Sequence, residues 1–185
     1  MFIVYAVVVG LVLGLLLGGR PAGLAEIRFR WPWLILGGLL VQLALFSEPV
    51  SRVVGDLGPV LYVGSTAVVF AAIAAERSIP GLPIVAAGAL CNLVAIVANG
   101  GYMPADPAAM AALGRSYAET YSNSIEATQP VLWPLTDIFA LPRWLPFTNV
   151  FSVGDVLIGV GLVVTIVLAM RRPVGPAVSP DGAGV

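Results

Sequence analysis

The chain has 185 residues, of which 59% are hydrophobic and only 10% charged, with a formal net charge of −1 and a mean hydropathy of +0.98. Soluble domains carry about 25% charged residues, so a soluble enzyme and a disordered chain are excluded. Nine arginines set against ten acids leave no cationic surface for nucleic acid. The sequence contains no histidine and a single cysteine, Cys91. This excludes His-ligated haem or zinc, Ser-His and Cys-His nucleophiles, and an internal disulfide. No cofactor and no metal is expected, and carboxylates are the remaining acid–base groups.

Five apolar segments approach the roughly 20 residues that cross a bilayer: residues 2–18, 31–46, 58–75, 82–98 and 153–170. The first has neither a basic leader nor an A-x-A cleavage site, so it is expected to be kept as a span. Gly10, Gly14 and Gly18 recur every four residues along it, a ridge suited to close packing against a partner helix. Arg20, Arg28, Arg30, Arg77, Arg171 and Arg172 fall on one side, and Arg52, Arg115 and Arg143 on the other. Because cytoplasmic loops retain the arginine excess, the N-terminus is expected outside and the C-terminus in the cytoplasm. The expected fold is thus an all-α, five-span integral protein of the inner (plasma) membrane. Residues 1–172 form its single membrane domain, and the Pro/Gly-rich residues 173–185 a disordered tail.

The connection 99–152, on the outer side, is long enough to be functional. Asp106-Pro107 pairs an N-cap with proline at the first helical position. Met110, Leu113, Tyr117 and Tyr121 then recur at helical spacing, predicting a short amphipathic helix on the outer membrane surface. The stretch 130–147 mixes prolines with Trp133 and Trp144, so it is expected to hug the headgroup region rather than form a long helix. Glu76-Arg77 reads as a solvated pair in a cytoplasmic loop.

Polar groups inside spans are costly and mark function. Gln42, Asn92 and Asp155 fall in the outer halves of their spans, Asn99 ends the fourth, and Asp137 sits in an apolar part of the outer loop. Gln42 and Asn92 taken alone also fit helix-to-helix hydrogen bonding, and Asp155 fits helix capping. A Gly-Gly turn after Asn99 accounts for the glycines next to Tyr102 but not for the asparagine before them.

Thr136-Asp137-Ile138-Phe139, followed by Phe151-Ser152-Val153-Gly154-Asp155 at the start of the last span, resembles the C-terminal third of the lipoprotein signal peptidases (signal peptidase II). Gly88-Ala-Leu-Cys-Asn-Leu-Val94 resembles the Gly-Ala-Leu-Gly-Asn-Leu-Ile run of that family's penultimate span. The chain departs from the family in several places. It has Ala95-Ile96 where the family has Asp-Arg, and Ser152 where the second motif has Asn. It also lacks the Asn-Thr-Gly-Ala-Ala-Phe loop and has a longer outer loop. The whole chain further resembles a bacterial family of five-span proteins of unknown function through Asn-Gly-Gly-x-Met-Pro and Phe-Ser-x-Gly-Asp. The peptidase resemblance implies an aspartic peptidase in which Asp137 and Asp155 form the catalytic dyad. Asn92, Asn99, Gln42, Tyr102, Ser152, Trp133 and Trp144 would line the substrate site. The substrate would be a membrane-anchored peptide cleaved near the outer leaflet. In the alternative reading the same pocket binds a membrane lipid, an isoprenoid or a partner subunit without reacting. A transporter, the third reading, lacks an internal repeat.

Overall fold

The computed structural model describes residues 2–114, 124–126 and 128–172. Helix α1 spans Phe2–Leu16, α2 Pro32–Leu45, α3 Glu48–Val54, α4 Gly58–Ala74, α5 Leu82–Ala98, α6 Pro107–Leu113 and α7 Val153–Met170. Uninterrupted Leu, Val, Ile and Ala favour helix over each long segment. Five of these helices (α2, α3, α4, α5 and α6) carry proline in their first two positions, where its missing N–H costs nothing. The glycines at 100 and 101 take φ of +72° and +92°, which ends α5 and turns the chain into the long connection.

Two of the described helical stretches are long and apolar enough to cross a membrane. They are Val153–Met170, of 18 residues, and Pro49–Ala74, of 26, in which α3 and α4 run together through a single 3-10 turn at Gly55–Leu57. The second begins well before the expected start at residue 58, so the presumed loop between spans two and three is itself helical. The helices Phe2–Leu16, Pro32–Leu45 and Leu82–Ala98 are apolar but shorter.

The helices pack as a row, α1 on α7, α7 on α5, α5 on α4 and α4 on α2. Close approach of α5 and α7 depends on glycine: a Cβ at Gly88 would overlap Gly154 O, and one at Gly154 would overlap the Asn92 side chain. Gly10 and Gly14 are filled within the chain, by Ile166 and Met170 of α7, whereas Gly18 lies beyond α1 and meets nothing. Outward faces carry exposed Leu16, Leu43, Val53 and Val60.

The 20–30 segment folds back on one end of the row, where Arg20 N–H donates to Met170 O and Arg30 N–H to the Glu76 carboxylate. Glu76 is therefore buried, not the solvated loop group expected, because it accepts a backbone donor brought from 46 residues away.

At the other end the long connection is built rather than loose. Four short strands join the expected all-α architecture: β1 (Met103–Ala105) runs parallel to β2 (Ser124–Glu126), and β3 (Phe139–Ala140) antiparallel to β4 (Val150–Phe151). Asp106 caps α6 as its sequence predicts, accepting from Ala108 N and Ala109 N. The start of the expected amphipathic helix is described as α6. It closes at Gly114, at φ +66°, while the Arg143 guanidinium takes the exposed carbonyls of Ala111 and Ala112. Met110 packs inward against Ala105, Ala109 and Val150. The expected continuation through Arg115, Tyr117 and Tyr121, and the tail 173–185, lie outside the described residues.

Candidate functional site

Between the helix row and the connection lies a half-open cavity of about 540 Å³. Gln42 from α2, Thr66 from α4, Asn92 from α5 and Asp155 from α7 line it, together with Asp137 and Asn149 from the connection. Below these polar groups the wall is apolar, formed by Leu39, Val69, Phe70, Ile73, Val85 and Ile158 among others. Both aspartates singled out in the sequence thus face one space.

Asp155 reaches it through a capping box. Ser152 follows β4 and is the N-cap of α7, and its Oγ accepts from Asp155 N at 3.0 Å while its own N–H donates to Asp155 Oδ2 at 3.1 Å. Asn92 completes the arrangement, donating from Nδ2 to Asp155 Oδ1 at 3.0 Å and accepting from Ser152 Oγ at 2.8 Å. Each group meets a complementary partner, which fixes the orientation of the Asn92 amide: a flipped amide would set its oxygen against a carboxylate. Ser152 is completely buried.

Asp137 arrives from the opposite side. Its backbone is held at both ends, with its N–H donating to Pro104 O at 2.9 Å and its C=O accepting from Asp106 N at 3.0 Å. It forms a parallel bridge with Ala105, so the β1 edge positions it. Thr136 beside it is fully buried and donates from Oγ1 to Trp133 O at 2.7 Å. The Asp137 side chain is buried, and its carboxyl takes no hydrogen bond among the described residues. Burial pushes this carboxyl up to about 8, and the nearby Asp155 adds to the push. Asp137 is therefore the acid form at neutral pH.

The remaining residues singled out in the sequence divide. Gln42 lines the cavity and donates from Nε2 to Thr66 Oγ1 at 3.2 Å, while the Thr66 hydroxyl donates to Tyr62 O. Asn99 stands apart from it. Its Nδ2 donates to Val131 O and to Ala95 O, and its Oδ1 accepts from Val131 N, so it ties the end of α5 to the connection as a strand partner would. Trp133 is exposed and donates from its indole to Asp106 Oδ2 at 3.2 Å, the largest of the contacts that hold Asp106 below the usual carboxylate range. Trp144 is exposed and Tyr102 half-buried, and neither lines the cavity. Arg143 does not line the cavity either, and its guanidinium caps α6.

Sequence reasoning missed Thr66 and Asn149. Thr66 sits four residues after Tyr62 on the face that meets Gln42, a signal available only once α2 and α4 are known to be neighbours. No group of three or more metal-ligating side chains occurs among the described residues.

Residues 26–167, more than three quarters of the chain, match the family described as a family of unknown function (DUF5317), and the chain belongs to that family. No curated protein and no solved structure matches it.

Proposed function

We propose that this member of the DUF5317 family is a membrane-embedded aspartic peptidase, distantly related to signal peptidase II, that cleaves a membrane-anchored peptide near the outer leaflet. The observation that carries the reading is the pairing of Asp137 and Asp155. Delivered by separate segments, they face one half-open cavity, one as a buried acid without a hydrogen-bond partner among the described residues and the other held by N–H donors. Two carboxyl groups in unlike environments are what general acid–base hydrolysis of an amide needs.

In this scheme the Asp155 carboxylate accepts a proton from a water molecule as its oxygen attacks the scissile carbonyl carbon. The Asp137 carboxyl donates its proton to the carbonyl oxygen. The tetrahedral intermediate collapses by breaking the C–N bond. The leaving amine takes the proton held by Asp155, and the new carboxyl product returns one to Asp137. Asn92 and Ser152 hold the Asp155 carboxylate in place.

The membrane placement proposed with it has all five apolar helices crossing the inner (plasma) membrane, the N-terminus outside and the C-terminus in the cytoplasm. The tie of Arg20 to Met170 and of Arg30 to Glu76 supports this, because it gathers Arg20, Arg30, Arg77 and Arg171 at the end opposite the cavity's polar groups. One observation favours a second reading, in which the cavity binds a lipid, isoprenoid or partner without reacting: the capping box alone accounts for Asp155.

The test is cleavage of a membrane-anchored substrate by Asp137→Asn, Asp155→Asn and the double variant. Groups that act as one unit lose nearly as much singly as together. Independent, partial losses would argue for binding.

A further inference from the structure

The cavity's shape and charge specify a ligand. Its polar groups occupy one level, at Gln42, Thr66, Asn92 and Asp155, and from there its apolar wall continues to Ile35 on α2, Ile73 on α4 and Val85 on α5. Each of these lies seven residues further along its helix, about 10 Å at 1.5 Å per residue. The whole cavity, polar level included, offers about 540 Å³. An apolar part about 10 Å deep below a polar level suits an alkyl chain that carries a polar head.

The polar level carries two carboxyl groups and no described positively charged lining residue. Asp137 is more than nine-tenths buried, faces this space and has no hydrogen-bond partner among the described residues, so the cavity holds a carboxyl group whose hydrogen bonding is unmet. A phosphate or carboxylate head would meet like charge, whereas an ammonium pairs with Asp155 and favours the ionised form of Asp137, whose proton is released to solvent as the ammonium donates to it.

We infer that the cavity takes a single-chain amphiphile with a primary ammonium head, the nitrogen between Asp137 and Asp155 and the alkyl chain in the apolar part toward Ile73 and Val85. This rests on the reading that both aspartates serve one space. It does not require that they hydrolyse anything, and its test involves no cleavage.

The purified protein in a non-ionic detergent is titrated with decylammonium, decanol and decyl phosphate, and thermal unfolding is followed by tryptophan fluorescence. Decylammonium should raise the melting temperature by several degrees, decanol by less, and decyl phosphate not at all. Shortening the chain from decyl to octyl should weaken binding about fourfold per methylene. Asp137→Asn should weaken decylammonium binding at least tenfold. Ala89→Phe, which fills the apolar wall and leaves both carboxyl groups intact, should abolish dependence on chain length. Equal responses to the ammonium and the phosphate, or undiminished decylammonium binding in both variants, would overturn the assignment. Cleavage that depends on both aspartates, in a protein indifferent to decylammonium, would sink this inference and leave the peptidase reading standing.

Discussion

Asn92 and Asp155 meet across the α5–α7 interface, the amide donating to the carboxylate at 3.0 Å while its oxygen receives the Ser152 hydroxyl at 2.8 Å. The contact exists because Gly88 and Gly154 let the two helices approach until a Cβ at residue 154 would overlap the Asn92 side chain. A helix-packing feature and a polar site are thus the same feature. Asn92→Ala should strand a part-buried carboxylate oxygen and a buried hydroxyl, lowering stability by about 1–3 kcal/mol. Ser152→Ala should cost about 1 kcal/mol through the lost cap. Denaturant unfolding in detergent measures both, and the double variant should lose less than the sum because the two share one network.

Asp137 gives the protein a pH signature. Its carboxyl is raised to about 8 in the folded chain from an ordinary value of 3.8. Between these values the folded state keeps a proton that the unfolded state has released, so stability should fall as pH rises from about 4 to about 8 and level off above. Asp137→Asn should flatten that slope and melt higher than wild type at pH 8, by on the order of 5 °C. Parallel melting curves for the two proteins from pH 5 to 8 would mean that Asp137 is not buried as an acid. The peptidase scheme adds that activity should decline as pH passes about 8.

Much of this could be read from the residues. Runs of Leu, Val and Ala fixed the positions of α1, α2, α4, α5 and α7 to within a few residues, and Asp106-Pro107 marked the start of α6. Asp137 and Asp155 stand out in the sequence as polar groups in apolar surroundings, and both face one cavity. The connection was harder. Its strands are two or three residues long, too short for a period of two to show, and their partners are distant in sequence. Asn99 looked like a site residue because nothing local explained it, and its explanation is the backbone of Val131, 32 positions away. Glu76 looked solvated because its partner, Arg30 N–H, belongs to another segment.

The Asn99 tie predicts local, not global, behaviour. Asn99→Ala removes both hydrogen bonds to Val131. Hydrogen exchange should rise around residues 131–137 while the helices keep their protection. Unchanged exchange there would show that the connection is held by its strands alone.

Orientation is tested by labelling in a Cys91→Ser background. Gln129→Cys, in the exposed part of the connection, should react with an impermeant maleimide in intact cells. Ser78→Cys, exposed beside Arg77, should react only after permeabilisation. The reverse pattern would put the aspartates on the cytoplasmic side.

The central claim is that Asp137 and Asp155 together cleave a membrane-anchored peptide. Asp137→Asn is the cleaner probe, because Asp155 also holds the α7 cap. The most direct measurement is a census of protein N-termini in membranes from cells carrying wild-type or Asp137→Asn protein at equal abundance. The account predicts a set of N-termini present with wild type and absent with the variant, with the uncleaved precursors accumulating instead. An identical set of N-termini in both membranes, with the variant folded and equally abundant, would contradict it.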